Sequence, residues 1–221
     1  MEAYIFEEKN LKYNKKELVE YKEKKKNYYE EEIKYLKEKE IIKLLNNIPN
    51  EFHKLIFSFL FETGARVGEA LKVKIMDIDF TTKTVKLYTF KRRNKNIVRI
   101  LTISDSLINK ILIYEKVTNL KNKDYLFSKS SGKKAITVQA VNKSIRIYFI
   151  SILGEEYKDL GHPHTLRHSR AIQLLNSGVN IMQVKTILGH ANIMSTMVYL
   201  KYSNNDIQES MKKSNMIIGI K

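Results

Sequence analysis

The sequence predicts an α+β fold that is mainly α-helical and contains a small three-stranded antiparallel sheet. Most segments of the 221-residue chain carry apolar side chains at helical spacing. Residues 78–103 differ, because they hold three short segments that are rich in β-branched residues and separated by polar turns. The hydrophobic share of 43% is ordinary for a globular protein. A chain of this length can therefore bury a substantial core.

The net charge of +16 lies almost entirely after residue 50, since Lys and Glu nearly balance before that point. A strongly basic body favours a polyanionic partner. The sequence has no cysteine, which excludes disulfides, thiolate zinc sites and a cysteine nucleophile. The opening MEAYIFEEKN lacks the apolar core of a secretory signal, and no apolar run approaches the ~20 residues of a membrane span. We therefore expect a cytoplasmic protein.

The first part of the chain is a leader rich in Lys and Glu. Neither Gly nor Pro occurs between Asn14 and Asn47, and thin apolar stripes predict one long helix or two joined helices there. Pro49 breaks this pattern. We expect residues 1–34 to be a short, charged, helical extension that is largely solvated.

After Pro49 the sequence predicts two helices that are joined by a tight turn. An apolar helix is expected from Glu51 to Glu62 and is ended by Gly64. The next segment, TGARVGEALKV, predicts a second short helix with Arg66 near its start. Arg66 would project from a rigid turn, and Glu69 would brace the local structure.

Three strands are predicted at residues 78–80, 84–90 and 97–103, and the polar turn KRRNKN joins the last two. Helices are predicted from Ser104 to Val117 and from Thr137 to Leu153. Two cations of the second helix, Lys143 and Arg146, either contact a polyanion or belong to a solvated face.

Residues 161–200 concentrate groups suited to phosphate chemistry. His164 and Arg167 share a face if they lie on a helix, because they are three residues apart. A short helix is predicted from Ala171 to Leu175, and a second helical pattern ends at Gly189. His190 and Tyr199 follow. Imidazole can transfer protons, guanidinium can bind an oxyanion, and phenol can act as a covalent nucleophile.

The segments HTLRH at 164–168, LGH at 188–190, Tyr199 and TGARVGEALKV together resemble the catalytic boxes of the tyrosine recombinases, or phage integrase family, in a Xer-like form. The resemblance implies a catalytic domain at residues 35–203 and a tail at 204–221 that is exchanged between subunits in some members. It implies a site-specific DNA recombinase or integrase that acts through a 3′-phosphotyrosine, without metal, ATP or other cofactor. The partners implied are double-stranded DNA and three further copies of the chain, in a homo-tetramer on DNA.

The same resemblance assigns roles to six residues. Arg66 and Arg167 would hold the scissile phosphate, Tyr199 would attack it, and His164 would take part in proton transfer with Tyr199. His190 would donate a hydrogen bond to the phosphate. The family's catalytic lysine corresponds to Lys91 or, in a second alignment, to Lys95. Residues expected to contact DNA are Arg92, Arg93, Lys95, Lys143 and Arg146.

Four alternatives stay open at this point. Tyr202 is a competing nucleophile three residues after Tyr199, while His162 and His168 are interpreted as turn, packing or hydrogen-bonding residues. A zinc site among these histidines is disfavoured, because the nearby acids lack metal-ligand spacing. A type IB topoisomerase-like strand transferase would use the same chemistry. A catalytically idle DNA-binding accessory protein would fit the short leader, since 34 residues cannot form the independent DNA-binding domain that the family usually carries in front.

Overall fold

The computed structural model describes residues 33–90, 96–128 and 132–203. The described residues from Lys34 to Ser203 belong to one compact unit. Its α-helices are α1 (Glu38–Asn47), α2 (Glu51–Thr63), α3 (Val67–Ala70), α4 (Asp105–Thr118), α5 (Val138–Tyr148), α6 (Pro163–Asn176), α7 (Ile181–Leu188) and α8 (Met194–Met197). The strands are β1 (Ile78–Asp79), β2 (Thr84–Phe90) and β3 (Asn96–Thr102). The predicted mainly helical α+β class is confirmed.

The entry to this unit differs from the predicted long helix. Residues 33–37 are not helical, and α1 begins only at Glu38. The backbone N–H of Leu36 instead donates to Ser169 Oγ at 2.8 Å, and the Leu36 side chain is buried. A tertiary hydrogen bond thus replaces the helical one that local propensity favours. Of the predicted helical extension at 1–34, residues 1–32 lie outside the described residues, and residues 33–34 are not helical.

Helix α2 is the central core element. The Asn50 side chain caps its first turn by accepting a hydrogen bond from the backbone N–H of His53. Most of its apolar side chains are buried, and one face packs against α6. Gly64 ends the helix with a φ of 59°, in the left-handed region that glycine adopts without strain. The predicted helix and its glycine stop are both confirmed.

The sheet has three antiparallel strands, as predicted, and their order is β1-β2-β3. Val85 pairs with Leu101 and Leu87 pairs with Arg99. Since side chains alternate along a strand, these pairs share the face that packs on the core. Val98 and Ile100 consequently point outward and are 49% and 61% exposed. The turn at 91–95 between β2 and β3 lies outside the described residues.

The region after the sheet follows the predicted helices with shifted ends. The Ser104 hydroxyl caps α4 and Thr137 caps α5. Helix α5 ends at Tyr148, and the predicted last turn is a π-helical turn at Phe149–Leu153. A 3₁₀ segment at Glu155–Leu160 then leads to α6.

Helix α6 corrects the predicted short helix at Ala171–Leu175. It begins at Pro163 and runs for 14 residues, so it includes His164 and Arg167. Proline is well placed at the first helical position, because that residue has no intrahelical N–H bond to lose. The α7 helix and its Gly189 stop are confirmed, with Gly189 at a φ of 68°. The final described segment is α8 followed by a 3₁₀ turn at Val198–Tyr202.

Within the described residues, no helix is long and apolar enough to cross a membrane. The predicted tail at 204–221 lies beyond them.

Candidate active site

Arg66 lies at the corner between α2 and α3. Ala65 and Arg66 follow the left-handed Gly64, and Arg66 is the N-cap residue of α3. Its guanidinium donates to Glu69 Oε1 at 3.0 Å, while 41% of its side chain stays exposed. The carboxylate also accepts the backbone N–H of Arg66. Glu69 therefore fixes both the backbone and the side chain of Arg66, as the predicted bracing role requires.

Glu69 itself is buried and binds three side chains. Besides Arg66, it accepts a hydrogen bond from Thr89 Oγ1 at 3.0 Å and from Arg99 Nη2 at 2.7 Å. Burial acts to raise the pKa of this carboxyl, but Arg99 and Arg66 together outweigh burial and lower it. Glu69 is therefore ionised at neutral pH.

Arg99 is a member of the site that the sequence analysis missed. Its side chain is only 3% exposed, although it lies on a strand rich in apolar residues. Arg99 Nη1 donates to Thr89 Oγ1 and to the carbonyl oxygen of Leu188, both at 3.0 Å. A Cβ added at Gly189 would lie 1.5 Å from this nitrogen, so a larger residue there would displace the Arg99 guanidinium, besides being strained at a φ of 68°.

Arg167 is buried on α6 and holds the two glycine-ended helix termini together. Its Nη1 donates to the carbonyl oxygen of Gly64 at 2.6 Å and its Nη2 to that of Leu188 at 2.9 Å. Leu188 thus accepts from both buried arginines. These bonds use two of the five N–H donors of the Arg167 guanidinium.

Burial lowers the pKa of Arg167 to about 10, and repulsion from Arg66 and Arg99 adds to this, against attraction from Tyr199 and Glu69. The group still remains cationic at neutral pH. We call Arg66, Glu69, Arg99 and Arg167 the guanidinium cluster. It contains three cations and one carboxylate, and an excess of positive charge in a partly buried site favours an anionic ligand.

Tyr199 lies beside this cluster with 3% of its surface exposed. His168 Nδ1 is 2.9 Å from the Tyr199 hydroxyl, and the two ring centroids are 5.6 Å apart. The His190 ring also stacks with that of Tyr199, at a centroid distance of 6.3 Å. Two imidazoles therefore contact the predicted nucleophile.

His164 lies one helical turn before His168 on α6. It is exposed, and its ring lies 6.1 Å from that of His168. The hydrogen bond described on the Tyr199 hydroxyl goes to His168, which the sequence analysis interpreted only as a packing or hydrogen-bonding residue. Hydrogen bonding by His168 is confirmed, but its partner was not foreseen. The proton-transfer role of His164 stays a prediction.

His168 and His190 are both neutral at physiological pH. Burial lowers the pKa of His168 to about 4, with further lowering by His164, His162 and Arg167. Burial also lowers the pKa of His190 to about 3, and nearby arginines, Arg167 first, lower it further. His190 Nδ1 is 2.8 Å from Thr196 Oγ1, which orients its ring. A neutral imidazole offers one N–H donor and one acceptor nitrogen.

Some of the remaining predicted residues are described by the structure, and the others are not. Tyr202 packs edge-on against Tyr35 at a centroid distance of 5.6 Å. Lys143 and Arg146 are exposed on α5. Lys91, Arg92, Arg93 and Lys95 lie outside the described residues, so both placements of the catalytic lysine stay predictions. Among the described residues, no group of three or more His, Asp or Glu side chains is arranged to hold a metal ion.

Comparisons with known proteins all indicate the same family. The profile of the phage integrase family matches residues 34–206. The tyrosine recombinase XerA of Pyrococcus horikoshii is 31% identical over 186 residues, which are 83% of this chain and 62% of XerA. A tyrosine recombinase of Pseudothermotoga lettingae is 33% identical over 180 residues, 81% of this chain and 60% of that protein. The chain thus spans less than two thirds of these relatives.

A solved structure shares the fold as well as sequence. The crystal structure of XerA recombinase superposes with a TM-score of 0.65 and 25% identity, over 84% of this chain and 65% of XerA. The predicted resemblance to the Xer-like recombinase catalytic domain is thereby confirmed. By sequence profile, relatives and fold, the chain belongs to the phage integrase family.

Proposed function

We propose that this chain is a site-specific DNA recombinase or integrase that cuts and rejoins strands through a covalent 3′-phosphotyrosine at Tyr199. The observation that carries this proposal is the burial of the Tyr199 hydroxyl next to His168 and beside the guanidinium cluster. The family membership supports it, because the curated relatives are tyrosine recombinases.

The chemistry follows from these groups. Arg66 and Arg167 would bind the two non-bridging oxygens of a phosphodiester through planar, bidentate forks, which Lys cannot reproduce. The Tyr199 oxygen would then form a bond to phosphorus while the bond from phosphorus to the 5′-oxygen breaks. The covalent link keeps the phosphoryl group reactive, so that a 5′-hydroxyl of another strand can displace Tyr199 without ATP.

Proton movement and charge stabilisation complete the step. His190 would donate its N–H to a phosphate oxygen, consistent with its neutral ring and its bond to Thr196. His164 faces solvent beside the site and would contact the phosphate or exchange protons with it. Lys91, or Lys95 in the second alignment, would protonate the departing 5′-oxygen.

The proposed partner is double-stranded DNA, with Lys143 and Arg146 among its phosphate contacts. Helix α5 presents both residues to solvent, and the chain carries a net charge of +16. We further propose a division into an extension at 1–34, a catalytic domain at 35–203 and a tail at 204–221. On DNA, four copies would form a tetramer in the cytoplasm, since strand exchange between two duplexes needs four cleavages.

Covalent trapping tests the proposal. The purified chain is incubated with a pool of nicked duplexes from its own genome, and protein-bound DNA is recovered after denaturation in detergent. We expect adducts with the wild type and with Tyr202→Phe but none with Tyr199→Phe. Adducts that disappear only with Tyr202→Phe would overturn the assignment of the nucleophile. DNA binding without any adduct would instead favour the accessory-protein alternative.

A second assay separates the two enzyme classes. Once trapped DNA has been sequenced, two duplexes that carry the recovered site are mixed with the protein. Recombinant products are expected. Relaxation of supercoiled DNA without exchange between duplexes would indicate the topoisomerase-like alternative.

A further inference from the structure

Two histidine–tyrosine hydrogen bonds in this protein have nearly the same geometry. His53 Nδ1 lies 3.1 Å from the Tyr148 hydroxyl, and His168 Nδ1 lies 2.9 Å from the Tyr199 hydroxyl. Both pairs of rings have a centroid distance of 5.6 Å. Their surroundings differ, and this difference separates a structural pair from a reactive one.

The pair on α2 and α5 lies among aromatic side chains. The rings of Phe52 and Phe57 lie 5.9 Å and 6.2 Å from that of His53, and Phe57 also packs edge-on against Tyr148. These contacts bury apolar surface. This hydrogen bond therefore satisfies two polar groups at the edge of the core.

The pair formed by His168 and Tyr199 lies in a cationic setting. The cation that acts on both members of the pair is Arg167 on α6, and Arg66 from the corner before α3 acts on Arg167 and on the adjacent His190. His162 and His164 from α6 and its N-cap and His190 from the end of α7 also surround the pair, but the pKa of each is lowered and these rings are uncharged at physiological pH. Nearby positive charge stabilises a phenolate relative to a phenol. The setting thus favours loss of the Tyr199 proton, provided that a base is within reach.

His168 meets the geometric requirement for this base. A general base must lie within ~2.6–3.2 Å of the group whose proton it takes. The lowered pKa of His168 keeps its ring neutral, so that Nδ1 can accept a proton. Burial first, and repulsion after it, make this ring a weak base, and a phosphodiester bound beside Arg167 would add negative charge that offsets part of the repulsion.

We propose that His168 is the catalytic residue that accepts the phenol proton of Tyr199 as its oxygen attacks phosphorus. The O–H bond of Tyr199 breaks, an N–H bond forms at His168 Nδ1, and the new O–P bond replaces the bond to the 5′-oxygen. In the reverse step His168 returns this proton to Tyr199. The inference rests on the proposed function. It moves the proton-transfer role predicted for His164 to the residue one helical turn later.

The test measures the rate of adduct formation against pH on the nicked duplex pool. In His168→Asn the side-chain amide can still accept a hydrogen bond near the Nδ1 position but cannot take up a proton. We expect this variant to slow cleavage by about 10²–10⁴-fold, the usual contribution of a general base. Its rate should rise with pH where that of the wild type is flat. The matched control, His53→Asn, removes the other histidine and should leave the rate unchanged.

Chemical rescue supplies a second readout. Added imidazole should restore part of the activity of His168→Ala and none of any loss in His53→Ala. Cleavage by His168→Asn at the wild-type rate, or an unchanged pH profile, would overturn the role of His168 alone. Absence of adducts with the wild type would overturn the proposed function itself. Circular dichroism identifies any variant that does not fold. If one substitution at a histidine prevents folding, the other substitution at the same position (Asn or Ala) is used to measure the cleavage rate and its rescue.

Discussion

The guanidinium cluster and the exposed face of α5 both carry arginine, but they hold it in opposite ways. Arg167 is 3% exposed and bonds to two backbone carbonyls, whereas Arg146 points into solvent. Burying a charge is costly unless it is paired and hydrogen-bonded. The cluster meets this condition with Glu69 and with the carbonyl oxygens of Gly64 and Leu188.

The two regions differ in whether the orientation of the arginine side chains is fixed. In the cluster, helix ends and one carboxylate fix each guanidinium, so the ligand meets preorganised donors. On α5 the cations are exposed to solvent, so they can add affinity but little orientation. Substitutions should therefore have large effects in the cluster and small effects on α5.

Replacing arginine by lysine in both regions should show the largest difference between them. Arg167→Lys keeps the charge but loses the planar fork, and we expect adduct formation to fall about 10³–10⁵-fold, as for other cations that stabilise phosphoryl transfer. The matched Arg146→Lys variant should keep its rate. A rate for Arg167→Lys near that of the wild type would contradict the account, provided that its thermal melt is unchanged.

The carboxylate at the centre of the cluster should matter for stability. Glu69→Gln leaves buried Arg99 without its charged partner, and loss of one partner of a buried pair costs about 3–5 kcal/mol of unfolding free energy. Glu155→Gln breaks an exposed pair with Lys158 and should cost less than about 1 kcal/mol. Urea unfolding measures both, and equal losses would refute the distinction between buried and exposed pairs.

The low histidine pKa values predict a pH dependence of stability. His168 and His190 have folded pKa values of about 4 and about 3, below the ordinary value of 6.5. Between these limits the unfolded chain binds more protons, so stability falls as pH decreases. Each histidine should contribute at most about 1.4 kcal/mol per pH unit.

Urea unfolding of the wild type and of His190→Asn between pH 7 and pH 4 would isolate one contribution. The difference between the two free energies should change with pH in the stated direction. A constant difference would show that burial does not keep His190 neutral.

The smallest effects are expected on α5. Lys143→Ala and Arg146→Ala should each weaken DNA binding a few-fold and reduce the slope of log affinity against log salt by about 1, as for single phosphate contacts. Binding titrations at several salt concentrations measure this slope. An unchanged slope would assign the two residues to a solvated face.

The elements of the fold were largely predictable, because helix stops and strand composition are local signals. Gly64 and Gly189 mark helix ends that the structure confirms. The segment at 33–37 was not predictable, since the hydrogen bond that draws Leu36 out of the helical pattern comes from Ser169, 133 residues away.

The site residues that belong to a sequence motif were predictable. Those positioned by strand pairing or by contacts between distant segments were not. Arg99 lies between Val98 and Ile100, and alternation alone would bury the apolar pair and expose the arginine. The pairing of Arg99 with Leu87 reverses this choice. Adjacent residues on a helix such as Arg167 and His168 point about 100° apart, but helical spacing does not show that Tyr199 contacts His168.

The measurement that tests the central claim most directly is identification of the residue that carries DNA. Trapped adducts are digested with nuclease and protease, and mass spectrometry locates the peptide residue that bears the remaining nucleotide. We predict a phosphodiester on the oxygen of Tyr199. A nucleotide on Tyr202 or on any other side chain would contradict the account of this site.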